Sequence, residues 1–205
     1  MIKNLNGLYG ITIDNDPNIE SNVKAALAGG ASVIQYRDKS SSGEKKLNTA
    51  YRLKTLCANK ALFIINDDIE LAKLVDADGV HLGKDDADIM KARQLLGDKI
   101  IGVSCYDQLS LAEGAQNKGV DYVAFGRFYS SSTKPMATQA SPDLIVEAKK
   151  LLVVPVVAIG GITVNNANTL IDAGADAIAV INGLFGQPAI TETAQHFCSL
   201  FDKNK

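Results

Sequence analysis

Short apolar runs alternate with longer stretches of helical periodicity from one end of the chain to the other. The runs "LYGIT", "SVIQYR", "ALFIIN", "GVHLG", "IIGVSC", "YVAFG", "VVAIGG" and "AIAVIN" predict strands, and segments such as "SGEKKLNTAYRLKTLCANK" and "DDIELAKLVDA" predict helices between them. The strand candidates are near-continuously apolar, as expected when helices cover one face and a packed interior the other. The pattern is eight strand–helix units.

A repeat supports the count. "GGASVI", "DADGVH", "GVDYVA" and "GADAIA" recur at intervals of about 45 to 55 residues, each joining a helix end to an even-numbered strand. Most consist of a helix-terminating Gly or its neighbourhood, a small residue, Asp or Ser, and an apolar run. Four similar double units predict an α/β fold, a (β/α)8 TIM barrel, with a doubly wound open sheet as the competing architecture. No linker or low-complexity stretch interrupts the pattern, so residues 1–205 are expected to form a single domain, a size with room for one substantial core.

Charge and composition narrow the function classes. With 21 Lys plus Arg against 23 Asp plus Glu the net charge is −2, which gives no reason to invoke nucleic acid or an anionic membrane surface. Any basic site must be local. No apolar run is long enough to span a bilayer and the N-terminus lacks the apolar core of a signal peptide, so a cytoplasmic protein is expected. Cys57, Cys105 and Cys198 are odd in number, far apart and outside metal-ligand spacing, which predicts buried, reduced thiols.

In a barrel the chemistry sits at the C-terminal ends of the strands. Read in order, those ends carry Thr12; Gln35, Arg37 and Lys39; Asn66, Asp67 and Asp68; Lys84, Asp85 and Asp86; Ser104; Ser130 to Lys134; Gly160 and Gly161; Asn182 and Gly183. Arg37, Lys39 and Lys134, with the hydroxyls of Ser104, Ser131 and Thr133, make a site for phosphate oxygens. Asp67 and Asp86 suit Mg²⁺, which takes one or two carboxylates plus water and substrate phosphates. Each feature also has a purely structural reading. Asp67, Asp68 and Asp86 open helices and could be caps, "SSSTKP" could be a polar turn, Arg37 and Lys39 could be an ion-paired strand end, and His81 could be a satisfied core or rim histidine. Joint placement at one rim favours function.

"AIGGITVNNANTL" and "VINGLFG" carry a different signal. Their glycines let backbone N–H groups approach an anion, Gly161 is followed by Thr163 and a new helix, and the loops after strands seven and eight are the usual barrel phosphate site. The alternative is that these glycines only close tight turns. A metal-assisted anion site and a metal-free one together point to the joining of two phosphorylated substrates.

"QYRDK", "IINDDIELA", "GVHLGKDD", "IGVSCYD", "FGRFYSSSTKP", "VVAIGGIT" and "VINGLFG" occur in order along almost the whole chain, and this ordered set closely resembles the thiamine phosphate synthase family. The resemblance implies a transferase that condenses 4-amino-2-methyl-5-hydroxymethylpyrimidine diphosphate with 4-methyl-5-(2-hydroxyethyl)thiazole phosphate. It implies that Gln35, Tyr36, Arg37, Asp38, Lys39, Asn66, Ser104 and Lys134 bind the pyrimidine diphosphate. Asp67 and Asp86 would hold Mg²⁺, and Ser131, Ser132, Thr133, Gly161, Ile181 and Asn182 would contact the thiazole phosphate. Arg37, Lys39, Lys134 and Ser104 are the expected catalytic groups. The implied chemistry is dissociative, with loss of diphosphate to a pyrimidine-stabilised carbocation that the thiazole nitrogen traps.

The chain departs from many relatives at Ser131, where they have Thr, at Asn182, where they have Ser, and at Tyr106, where they have His. The last bears on a tautomerase of thiazole phosphate, which uses a His in that region. A non-catalytic phosphate-binding barrel and an isomerase of phosphorylated sugars are the other competing readings. "SSSTKPMATQAS" is the expected mobile flap, and association into a homodimer is compatible with a small barrel.

Overall fold

The computed structural model describes residues 5–83, 89–130 and 139–202. The strands are β1 (Gly7–Ile11), β2 (Val33–Tyr36), β3 (Leu62–Asn66), β4 (Gly79–Leu82), β5 (Ile100–Tyr106), β6 (Tyr122–Phe125), β7 (Val156–Ile159) and β8 (Ala177–Val180). They pair in parallel in sequence order, and β8 returns to β1 through the register Gly7 to Ala177 and Gly10 to Val180. That last pairing makes the sheet a (β/α)8 barrel and excludes the open-sheet alternative. Outside it lie α1 (Ile19–Ala28), α2 (Gly43–Cys57), α3 (Ile69–Leu74), α4 (Ile89–Leu96), α5 (Leu109–Asn117), α6 (Asp143–Leu151), α7 (Ala167–Asp172), α8 (Asn182–Phe185) and α9 (Ile190–Asp202). Among the described residues no helix is long and apolar enough to cross a membrane.

Strand parity splits the apolar residues into two layers, because successive side chains point to opposite faces. Leu8, Ile34, Phe63, Ile65, Val80, Ile101, Val123, Val156 and Ile178 face the helices. Tyr9, Ile11, Val33, Ile64, Ile100, Tyr122, Ala124, Val157 and Ala179 fill the barrel. Both faces are buried, which is why the strands read as continuous apolar runs rather than alternating ones.

The sequence repeat has a physical meaning at the opposite end from the chemistry. Asp78, Asp121 and Asp176 stand immediately before β4, β6 and β8. Each carboxylate accepts the N–H of a residue on the preceding strand: Phe63 at 2.8 Å, Ile101 at 2.8 Å and Val156 at 2.7 Å. Each also pairs with a cation from the helix that leads into that preceding strand: Lys54 of α2 at 2.9 Å, Arg93 of α4 at 2.8 Å and Lys149 of α6 at 2.7 Å. One side chain thus ties two strands and a helix. In the fourth copy the Ser32 hydroxyl bonds the carbonyls of Asn6 and Leu8 instead.

Cys57 and Cys105 are buried as expected, and burial pushes both thiols up to about 12. Cys198 differs from the expectation. It is only partly buried, on α9, with its thiol directed at the Gly30 carbonyl.

Three outcomes follow from these placements. Asp121→Ala leaves the Ile101 N–H without its acceptor and strips a partner from Arg93, and should cost roughly 1–3 kcal/mol in urea unfolding. Asp76→Asn, which removes the exposed pair with Lys99 and keeps a residue suited to the left-handed φ of 49° at that position, should leave the same unfolding curve unmoved. In native protein at pH 8 a thiol reagent should label Cys198 alone, counted by mass, with Cys57 and Cys105 reacting only after denaturation.

Candidate active site

The inward-facing positions change character along each strand. In the barrel interior they are apolar, and where the strands end they become Gln35, Arg37, Asn66, His81 and Ser104. With Ile11, Tyr106, Ala124, Gly126, Arg127, Ile159, Gly160 and Ile181 these residues line one cavity at the C-terminal rim. A second cavity is lined by Ser130, Gly160, Gly161, Thr163, Ile181, Asn182 and Gly183 among others. The two share Ile159, Gly160 and Ile181. A ligand in one is therefore in contact with the wall of the other.

Parity separates the "QYRDK" residues. The Gln35 side chain is buried inside the barrel and donates through Nε2 to the Tyr9 hydroxyl at 2.7 Å. Arg37 also lines the cavity, and its guanidinium pairs with Asp14 at 2.7 Å. Lys39 lies beyond the strand, largely exposed, 3.4 Å from Asp67. Tyr36 and Asp38 point to the other side. Tyr36 packs in the layer between barrel and helices, and Asp38 accepts from the Ser40 and Ser41 N–H groups and the Ser40 hydroxyl. Burial, the largest single influence, raises the Asp38 carboxyl, but these hydrogen bonds outweigh it and hold the group well below the usual carboxylate range. Neither Tyr36 nor Asp38 lines the cavity, so the side chains expected there from the run of five divide between two faces.

Both cations are ion-paired, the structural reading of this strand end, yet the pairs sit at the rim. Asp14, which accepts from Arg37 and from the Lys39 N–H at 3.0 Å, is a rim residue that sequence reasoning missed. Its signal is its position just after the first strand. Thr12, also at that strand end, is a tie: its buried hydroxyl donates to the Arg37 carbonyl and accepts the Arg37 N–H, both at 2.9 Å.

The adjacent aspartates have different work. Asp68 caps α3, accepting the Leu71 N–H at 2.9 Å, and also takes Lys46 at 2.9 Å. Asp67 makes no such cap. It holds a left-handed backbone with φ of 62°, and its carboxylate accepts from the Asn66 amide at 2.6 Å and faces Lys39. This leaves Asp67 as an oxygen donor at the rim, while Asp86 lies outside the described residues, as do Ser131, Ser132, Thr133 and Lys134 and most of the expected flap.

Steric demands account for the glycines. Gly160 and Gly161 have φ of 107° and 64°, and a Cβ on them would meet Arg127 Cβ at 2.3 Å and the Ser130 carbonyl oxygen at 2.4 Å. They let the loop after β6 pack against the loop after β7. The helix after Gly161 starts later than expected: α7 begins at Ala167, and the Thr163 N–H is taken by Asn166 Oδ1 at 2.8 Å. The helix that opens directly on the second cavity is the short α8, whose first internal bonds run from Leu184 and Phe185 to the Ile181 carbonyl. Asn182 and Gly183 therefore occupy the first turn of α8, at the wall of the second cavity.

His81 is the histidine satisfied on both ring nitrogens, with Tyr122 at 2.8 Å and Ser104 at 2.9 Å. Tyr106, at φ of 54°, and Arg127 are further cavity residues that were not read as site residues. If Asp68 is a cap and not a ligand, Asp68→Ala should lose about 1 kcal/mol of stability in thermal unfolding. Turnover by the folded fraction should then stay within about twofold of the parent.

Comparison with known proteins agrees with this geometry. The family model described as Thiamine monophosphate synthase matches residues 8–184. A protein named thiamine-phosphate synthase from Marinobacter nauticus is 54% identical over 194 residues, covering 91% of this chain and 86% of that protein. Another of the same name from Thiobacillus denitrificans is 48% identical, covering 95% and 94%. The solved structure of thiamine phosphate pyrophosphorylase from Pyrococcus furiosus superposes with a TM-score of 0.89 at 32% identity, covering 98% of this chain and 97% of that one. The fold, the rim and these relatives together show that the chain belongs to the thiamine monophosphate synthase family.

Proposed function

We propose that the chain is a thiamine-phosphate synthase. It joins 4-amino-2-methyl-5-hydroxymethylpyrimidine diphosphate to 4-methyl-5-(2-hydroxyethyl)thiazole phosphate and releases diphosphate. The observation that carries the reading is the shared wall: a cation-rimmed cavity and a glycine-lined one meet at Ile159, Gly160 and Ile181. Two anionic substrates bound there would have their reacting ends on the same side.

The residues fit a reaction in which the C–O bond to diphosphate breaks with both electrons leaving on oxygen, and the thiazole nitrogen attacks the pyrimidine cation. Arg37, Lys39 and Lys134 oppose the growing charge on the leaving group. Ile11, Ala124, Ile159 and Ile181 wall the cavity with apolar surface and exclude water that would trap the cation as an alcohol. Gly161, Asn182 and the Ser131–Thr133 segment hold the thiazole phosphate, so proximity supplies much of the rate. Asn182 offers an amide donor for a phosphate oxygen.

The donor chemistry at the rim also fits Mg²⁺. Asp67 is a carboxylate not spent on a helix cap and turned toward Lys39, and with Asp86 and phosphate oxygens it would make the hard-oxygen set that this ion prefers. Mg²⁺ bound by these two residues would supply positive charge to the departing diphosphate. We further take residues 1–205 to act as one domain in the cytoplasm, on small molecules and without nucleic acid or membrane.

Incubation of the protein with both substrates should yield thiamine phosphate with Mg²⁺ and none with EDTA. Lys134→Ala and Asp86→Ala should each lower turnover by roughly a hundredfold or more. Binding of thiazole phosphate with no product in the presence of metal would move the assignment to a phosphate-binding or tautomerase barrel. Near-normal turnover in both variants would refute the residue roles.

A further inference from the structure

Five polar side chains form an unbroken chain across the barrel mouth. Gln35 Nε2 lies 2.7 Å from the Tyr9 hydroxyl, Tyr9 lies 2.8 Å from the Tyr122 hydroxyl, Tyr122 lies 2.8 Å from His81 Nδ1, and His81 Nε2 lies 2.9 Å from Ser104 Oγ. They come from β2, β1, β6, β4 and β5. The two ends, Gln35 and Ser104, line the active cavity, and Tyr9 and Tyr122 are buried beneath it. We propose that Tyr9, Tyr122 and His81 are positioning residues whose one-way hydrogen-bond chain makes Ser104 a donor toward the substrate.

The distances fit either direction, and the fate of the protons separates the two. An amide nitrogen has no lone pair to accept with, so Gln35 donates to Tyr9. In the reverse order Tyr122 would donate to Tyr9, whose own buried proton would have no acceptor among the described hydrogen bonds, so the Tyr9 proton is assigned to Tyr122 and the Tyr122 proton to His81 Nδ1. In that order His81 carries its proton on Nε2, which donates to the Ser104 oxygen. The Ser104 proton is left for an acceptor atom in the cavity, a ring nitrogen or a phosphate oxygen of the substrate. Among the described residues no buried side-chain nitrogen or oxygen lacks a partner.

Packing keeps the links aligned. The Tyr122 ring meets Tyr9 edge-on at 6.1 Å and stacks on His81 at 5.4 Å. It lies across Gly102, where a Cβ would fall 2.0 Å from its Cζ, so this position on β5 has no room for a side chain. Burial raises both phenols above their ordinary values, and they remain protonated donors throughout the working pH range.

The catalytic consequence rests on the synthase reading, whereas the proton arrangement can be tested without substrate. Only His81 and His196 are present, so nitrogen NMR of ¹⁵N-histidine-labelled protein at pH 7.5, with His196→Gln for assignment, reads the His81 tautomer directly. The expected state is Nε2–H, and an Nδ1–H tautomer or an imidazolium would overturn the proposal. Tyr122→Phe should lower kcat/KM by about tenfold, the scale of one hydrogen bond. On a Ser104→Ala background it should add less than about twofold, because its effect passes through that hydroxyl. An undiminished effect in the double variant would mean a merely structural role. Should Tyr122→Phe not fold, Tyr9→Phe, one link further back, takes its place in the same cycle with the same two outcomes. A wild type with the expected tautomer and no synthase activity would reject the function and leave the chain standing.

Discussion

An eight-stranded barrel has no free edge and a closed interior, so any inward-pointing polar group must be satisfied within it or at its mouth. That constraint arranges the rest of this molecule. Strand parity assigns Tyr9, Ile64, Tyr122 and Val157 to the interior, and apart from the two tyrosine hydroxyls these positions turn polar toward the C-terminal rim, at Gln35, Asn66, His81 and Ser104. Polar groups that reach furthest into the barrel do so as members of one hydrogen-bonded chain. The site is thus an extension of the core, held by the same packing.

Stability and chemistry occupy opposite ends. Asp78, Asp121 and Asp176 tie strands to helices at the N-terminal face, whereas Asp14 and Asp67 face cations at the C-terminal rim. Asp67 and Asp68 show how finely the division runs. Adjacent in sequence and identical in type, one caps a helix and the other, held in a left-handed conformation, is released to the rim.

All eight strands are legible in the sequence, because strands buried on both faces read as apolar runs and no other element here does. The fourfold repeat is legible as spacing, but its meaning is not, since the ties from Asp to a preceding strand and a distant helix exist only in three dimensions. The rim is legible as an ordered row of polar strand ends. What escapes is direction. Tyr36 and Asp38 share a motif with Gln35 and Arg37 yet face the helices, Asp14 lies outside every motif, and the Lys39 side chain sits past the strand where alternation no longer applies. Tyr9 and Tyr122 look like ordinary core aromatics, because a hydroxyl's partner across the barrel leaves no trace in local sequence.

The account depends on two anion subsites acting together in one chain. Calorimetric titration of thiazole phosphate into protein already saturated with Mg²⁺ and diphosphate tests this most directly. Separate subsites predict binding at one equivalent per chain with the thiazole phosphate affinity undiminished. Loss of thiazole phosphate binding in the presence of diphosphate would mean that both anions compete for a single subsite, and would contradict a reaction that joins two substrates at their shared wall.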